Sequence, residues 1–248
     1  MILAGNQPYF LPYLAYWQLI HSADVFKISD DYQYIKKGWI NRNRILVCGS
    51  PCYFRLDMAR PSTGQKINEL YINEIPVGDK LKQIRLAYGR APCFDSGVEL
   101  LNRIFSYKNR NLAAFLAHSI ETVCEYLGIK TKLVLSSDFA HNSDYRREHR
   151  LYDLCQRIGA DTYHNAIGGQ KLYSYEEFEK RGIKLAFLKM GDIRYPQFGQ
   201  EFVPNLSILD VIMFNPVEKI REMLDCYTLL DKSSENTLLP KGEMITHG

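Results

Sequence analysis

What narrows the fold most is an alternation. Short apolar runs of strand character exchange with segments of helical period at both ends of the chain. "MILAGNQ" at the start reads as a buried strand. Pro12 suits the first turn of a helix, where its missing N–H does no harm, and Leu14, Trp17, Leu19 and Ile20 line that helix to about Ser22. "ADVFKIS" (23–29) is the next strand, rich in Val, Phe and Ile. After a polar stretch, "ILV", "CYFRLDM" and "LYINEI" read as short strands separated by Gly, Pro and Ser.

From Val77 the period becomes helical over 79–92 and 96–129, with Gly128 as a C-cap. "TKLVLSSDF" returns to strand. "YRREHRLYDLCQRIGA" is a helix closed by Gly159, and "TYHNAIGG" is a strand entering a glycine loop. "SYEEFEKRG" is a short helix with Ser174 and Glu177 at capping-box spacing. "IKLAFLKM" is a strand, and "SILDVIMFN" and "PVEKIREMLDCY" are helices. The polar tail from about Asp231 reads as disordered. This order predicts an α/β fold over 1–230: one domain with a mostly parallel Rossmann-like sheet, interrupted by a helical insertion at about 78–129. The insertion is expected to form one wall of the site.

A net charge of +3 is too small to argue for nucleic-acid binding, and it fits a local pocket for an anionic small molecule. No run is long and apolar enough to span a bilayer, and the N-terminus has no basic start before its apolar residues. A reducing cytoplasm is the expected location. Of the six cysteines, Cys48 and Cys52 have half the spacing of a zinc site, but no second pair follows, so no metal is expected. Cys124 and Cys155 fall on apolar helix faces and read as core residues.

In an open α/β sheet, ligands sit outside the carboxyl ends of the strands. Four stretches are candidates there. The first is "NQPYFLP", which leads into a helix N-terminus suited to anions. Gln7 offers a donor and an acceptor, and Tyr9, Phe10 and Tyr13 could form an aromatic wall; they equally suit plain packing of a strand–helix corner. The second is "SDDYQYIKKGWINRNR", with Asp30, Asp31, Gln33, Trp39, Asn41, Arg42, Asn43 and Arg44. Carboxylates beside amides and guanidiniums can hold amine, hydroxyl and phosphate together, although a solvated loop with two ion pairs would look the same. The third is "TYHNAIGGQKLY", where Gly168 and Gly169 allow close backbone approach and Tyr163 and Tyr173 flank them. Its His164 reads as a packed or hydrogen-bonded core residue. The fourth is "RYPQFGQEFVPNLSILD", with Gln197 in a loop and Asp210 inside an apolar helix, where it must find a partner or face solvent. No Walker loop, G-x-G-x-x-G, G-x-S-x-G or H-E-x-x-H is present.

Taken together, "NQPYFLPYLAYWQLIHSADVFKISDDYQYIKKGWINRNRI", "INEIPV", "YGRAPCF", "LCQRIGADTYHNAIGG" and "YPQFGQEFVPNLSILD" resemble the WbqC-like protein family, to about Tyr227. Asn6 stands where many members carry His, and Ala15 where Gly is common. A fold-level analogy links the opening strand, Pro loop, helix and "SDDYQY" to pantothenate synthetase-type nucleotidyltransferases, whose H-x-G-H motif is replaced here by "LPYLAY".

The family resemblance implies a place in O-antigen and related polysaccharide gene clusters. It also implies transfer of an acyl or aminoacyl group, glycyl included, onto a nucleotide-linked amino sugar. On that reading Asp31 orients or deprotonates the acceptor amine, Arg42 and Arg44 hold phosphate, and Gln7, Asn41 and Asn43 position the donor. Gln7, Asp31 and Arg42 are expected to face one another. No cofactor is implied beyond an activated acyl donor or a nucleotide. The alternatives are a nucleotidyltransferase-like or ATP-using ligase and a non-catalytic sugar-nucleotide binder.

Overall fold

The computed structural model describes residues 1–61, 64–139, 147–199 and 201–234. Its centre is a six-stranded sheet of strands β1 (Ile2–Asn6), β2 (Val25–Ile28), β5 (Lys132–Leu135), β6 (Thr162–Ala166), β7 (Lys184–Met190) and β8 (Tyr227–Leu230), in the order β5-β2-β1-β6-β7-β8. All pairs are parallel except β7 with the edge strand β8. The fold is α/β. β1 pairs with β2 on one side, Leu3 opposite Val25, and with β6 on the other, Leu3 opposite Tyr163. Parallel strands need both faces covered, and the apolar run of β1 supplies side chains to both.

On one face Leu3, Val25, Tyr163, Leu185 and Phe187 pack with Leu151, Leu154 and Cys155 of α5 (Arg147–Ile158) and Phe178 of α6 (Tyr175–Glu179). On the other, Ala4, Phe26, Ile28 and Leu188 join a larger core with α1 (Leu14–His21). The helical block α2 (Val77–Tyr88), α3 (Phe94–Phe105) and α4 (Leu112–Leu127) shares that second core with α7 (Ile208–Phe214) and α8 (Val217–Leu224). A separate antiparallel hairpin, β3 (Arg42–Val47) and β4 (Ser50–Arg55), turns at Cys48 and Gly49, both with positive φ, the two-residue loop that suits strand twist.

Several sequence expectations need correction. The first helix begins at Leu14, not Pro12, because the Pro12 carbonyl accepts from Ile208 N–H and Trp17 Nε1 instead of opening the helical ladder. Arg42, Asn43 and Arg44 belong to β3 and not to a loop. "LYINEI" forms no strand. Its backbone meets the chain only at isolated bridges, Met58 with Ile72 and Tyr71 with Asn111. The run 96–129 divides into α3 and α4, because the Asn111 side chain accepts from Ala114 N–H at 3.1 Å and starts a new helix. β8 was not expected. Of the polar tail, Asp231 to Ser234 are ordered by hydrogen bonds to the Asp231 carboxylate, and 235–248 lie outside the described residues. Gly128 and Gly159 close α4 and α5 in the left-handed conformation, as the sequence leads one to expect.

Candidate functional site

β1 leads through α1 to β2 on one side, and β6 leads through α6 to β7 on the other. The winding therefore reverses between β1 and β6. Their carboxyl ends diverge there and leave a crevice, the position where open α/β sheets bind ligands. A cavity of about 490 Å³ lies there. Its floor is Gly5, Asn6, Lys27, Ser29 and Asn165 from the ends of β1, β2 and β6. Gln7, Tyr9 and Tyr13 enclose it on one side, Tyr32, Ile35 and Trp39 on another, and Glu148 of α5 with Gly168, Gly169, Leu172 and Tyr173 on a third. A second hollow of about 310 Å³ is bounded by Pro12, Asn43, Arg44 and Asn205, and shares Tyr9, Tyr13 and Trp39 with the first. The three rings are thus common to both hollows.

The corner "NQPYFLP" supports these rings. Phe10, Tyr16 and Trp17 are buried in the core, and Phe10 N–H donates to the Ile40 carbonyl at 3.0 Å. Tyr16 donates to the Gln7 carbonyl at 3.0 Å and its ring meets Tyr9 at 5.7 Å. Leu11 takes the left-handed region at φ 44°. A leucine there is strained, and it holds because its carbonyl accepts from Asn43 Nδ2 at 2.9 Å and Ser207 Oγ at 2.7 Å. Burial raises the pKa of both Tyr9 and Tyr13, so both phenols stay protonated near neutral pH.

Lys27 is the residue that sequence reasoning missed. It is 6 % exposed, in a strand otherwise made of Val, Phe and Ile. A lysine is seldom so buried without a task for its charge. Its stem crosses Gly5, where a Cβ would stand 3.2 Å from Lys27 Cε and 3.0 Å from the Lys27 carbonyl oxygen. Glycine at 5 gives the lysine its path to the cavity. The signal in the sequence was a lone lysine in "VFKI" beside a strand glycine.

Three asparagines act alike. Asn6 Oδ1 accepts from Gln7 N–H at 2.8 Å, Asn43 from Arg44 N–H at 2.8 Å and Asn165 from Ala166 N–H at 2.9 Å. Each amide is thereby fixed with its NH2 turned away from its own backbone. For Asn43 that group serves Leu11. For Asn6 and Asn165, and for the whole Gln7 side-chain amide, no hydrogen-bond partner occurs among the described residues. Gly169 makes room for this: a Cβ there would stand 2.4 Å from Asn165 Nδ2. The cavity is thus supplied with neutral donors around one lysine.

Arg44 supplies the charge in the second hollow. Its guanidinium lies 5.5 Å from the Trp39 ring, touches the Asn205 carbonyl only at 3.5 Å, and has no carboxylate partner among the described residues. Its Nε is buried without a hydrogen-bond partner. Asn205 beside it is left-handed at φ 56°.

The other anticipated residues have different duties. Gln7, Asp31 and Arg42 do not converge, and of the three only Gln7 lines the cavity. Asp31 is held by Arg150 at 3.1 Å and by the Ser136 hydroxyl, so it ties β2's loop to the first turn of α5. Asp30 is buried and accepts from Ser136, Ser137 N–H and Ser137 Oγ. Arg42 donates to the carbonyls of Gly38, at 3.0 Å, and Lys37, and stacks on Tyr53 at 4.2 Å. Asn41 bridges Tyr34 and Leu56, and Gln33 is exposed. Tyr163 packs beneath the cavity, with its pKa pushed up by burial.

Asp210 is fully buried and accepts from Tyr88, Tyr195 and Gln197 Nε2, each at 2.7 Å. Burial raises its pKa against those three donors. His164 is buried against Ser22, and burial lowers its pKa. The helical block 78–129, expected to wall the site, gives no residue to either hollow. Among the described residues no cluster of His, Cys, Asp or Glu could hold a metal ion, and no helix is long and apolar enough to cross a membrane.

The switch-point cavity, its aromatic wall and both cations fall within 7–222 but for the strand end at 5 and 6, and a family profile matches residues 7–222. The chain belongs to the WbqC-like protein family. This WbqC-like chain is also similar to a protein of Mycobacterium tuberculosis named Uncharacterized protein Rv1507c, with 29% identity over 213 residues, 84% of this chain and 91% of that protein. No solved structure matches it significantly.

Proposed function

We propose that this WbqC-like protein transfers an acyl or aminoacyl group, such as glycyl, onto the amine of a nucleotide-linked amino sugar, in assembly of a surface polysaccharide or related glycan. The observation that carries the reading is the divided site: two hollows that share three aromatic rings, with Lys27 serving one and Arg44 the other. A nucleoside-diphosphate sugar has matching parts. Its diphosphate suits the guanidinium of Arg44, its base suits the faces of Trp39 or Tyr13, and its sugar suits the amides of Gln7, Asn6 and Asn165. Glu148, the carboxylate that lines the larger cavity among the described residues, takes the role first given to Asp31. The sugar amine attacks the donor carbonyl; the new C–N bond forms, the bond to the donor's leaving group breaks, and Glu148 accepts the amine proton. Lys27 stabilises negative charge on the carbonyl oxygen. Asp31 contributes indirectly, by fixing through Arg150 the helical turn that carries Glu148.

The test is incubation of the protein with nucleoside-diphosphate amino sugars and an activated glycyl donor, with the products read by mass spectrometry. The expected result is an N-acylated sugar nucleotide. Glu148→Gln should lower kcat with little change in KM, and Arg44→Ala should raise KM. Pyrophosphate release from ATP would favour a ligase instead, and tight binding without product would favour a non-catalytic binder.

A further inference from the structure

Of the eight exposed large apolar side chains among the described residues, four gather at one place, while Met1, Tyr71, Leu86 and Leu229 lie elsewhere. Ile35 (56 % exposed), Trp39 (41 %) and Leu172 (60 %) all border the mouth of the switch-point cavity, and the half-exposed Tyr53 stands against Trp39 with ring centroids 6.4 Å apart. Exposed lysines adjoin them in sequence: Lys36 and Lys37 follow Ile35, and Lys171 precedes Leu172. None of the three lysines has an ion-pair partner among the described residues, and Glu148 is the acid at the same cavity.

The segment that carries Ile35, Lys36 and Lys37 is a built projection. Gly38 N–H returns to the Ile35 carbonyl at 3.1 Å, and Lys37 takes φ 62° at the third position of the turn. Arg42 clamps the turn from behind through the Lys37 and Gly38 carbonyls, with its own face on Tyr53. The fold therefore holds an isoleucine and two lysines outward at fixed places beside an exposed tryptophan. Apolar tips with cations alongside suit a surface that is apolar within and anionic at its face. Isoleucine and leucine enter the acyl boundary, tryptophan sits at headgroup level, and lysines pair with the lipid phosphates.

We propose that the rim of the switch-point cavity, formed by Ile35, Lys36, Lys37, Trp39, Lys171 and Leu172, docks the protein on an anionic lipid bilayer with the cavity mouth facing the membrane surface. The contact is peripheral and reversible, and it stands independently of the transfer reaction. It would place the site where a substrate anchored in the bilayer can reach it.

The test uses the full chain with vesicles of phosphatidylcholine and phosphatidylglycerol, against vesicles of phosphatidylcholine alone. Trp39 reports directly, because Trp17, the other tryptophan, is fully buried. Expected are flotation with the anionic vesicles, a blue shift of tryptophan emission, and weakening of both by salt. Each lysine near an anionic surface strengthens adsorption about fivefold, so Lys36→Gln with Lys37→Asn should weaken it roughly 30-fold. Ile35→Ser with Leu172→Ser should abolish the remainder while the thermal melt stays that of the parent, since both side chains are exposed. No flotation with either vesicle overturns the proposal and leaves the patch to a protein partner. Equal binding by parent and both variants overturns it as well.

Discussion

Asp210→Ala removes an acceptor that three side chains share. Tyr88 reaches it from α2, and Tyr195 and Gln197 reach it from the segment between β7 and α7. Tyr88 in turn accepts from Leu46 N–H of β3 at 2.8 Å. The alanine would strand three donors at the centre of this junction and leave a small cavity. Each bond to a charged acceptor is worth about 1.5–3 kcal/mol, but the three act on one group and do not add. Each stranded neutral donor costs about 1–3 kcal/mol, and with the small cavity a total of about 3–5 kcal/mol is expected here. For a chain of this size that lowers Tm by roughly 6–20 °C. Tyr195→Phe, which leaves Asp210 two donors, should cost about 1–2 kcal/mol.

Urea unfolding followed by tryptophan fluorescence measures both variants, with the slope m checked for constancy. The pH dependence has a definite sign. Asp210's folded pKa is raised by burial, so just above the unfolded carboxylate range the native state keeps a proton that the unfolded chain has released. Its contribution to stability is fully present below the unfolded pKa and is lost as pH rises through the folded one. Asp210→Ala should lack that slope. An alanine variant as stable as the parent, with the same pH profile, would refute the reasoning.

Gly5→Ala should destabilise the protein by about 1–3 kcal/mol through overpacking against Lys27, and should weaken ligand binding by displacing that side chain; denaturant melts and calorimetry read the two effects. Asp31→Ala leaves Arg150 half-buried without its carboxylate and should cost about 1–2 kcal/mol, read by thermal denaturation; an unchanged Tm would show that the pair does not hold α5. Burial pushes the Cys124 and Cys155 thiols up to about 12, so a thiol reagent at neutral pH should modify the exposed Cys48, Cys52 and Cys226 quickly and these two only after unfolding. Rapid modification of all six cysteines in the native protein would contradict that burial.

The fold was legible where local pattern and burial agree. β1, β2 and β7 carry apolar residues on both faces, and that pattern already implies a parallel sheet covered by helices, whereas β6, Thr162–Ala166, is buried at its centre but mostly polar in sequence. "LYINEI" misled because alternation alone does not supply a strand to pair with; its neighbours are loop backbone. β8 was missed because its burial comes only from pairing with β7 at the sheet edge. Gln7, Tyr9, Tyr13, Gly168 and Gly169 line the cavity because a loop after a parallel strand is delivered to the carboxyl edge, which the sequence order already implied. Arg42 and Asp31 do not line the cavity, for a reason the sequence hides: charge alone does not reveal that its partners are carbonyls of the same turn or an arginine more than a hundred residues away. Lys27 and Glu148 were not among the candidates read from sequence, because only the stacking of β1, β2 and α5 brings them to one cavity.

The proposed transfer requires that the two hollows sharing Tyr9, Tyr13 and Trp39 hold one anionic ligand between Lys27 and Arg44. Calorimetry with nucleoside-diphosphate amino sugars on the parent, Arg44→Ala and Lys27→Met tests it directly. Loss of one charge-assisted contact of about 1.5–3 kcal/mol predicts affinity about ten- to a hundred-fold weaker in each variant, with the melts of the folded variants recorded alongside. Parent-like affinity in both variants, for a ligand that the parent binds, would place the ligand elsewhere and contradict the account.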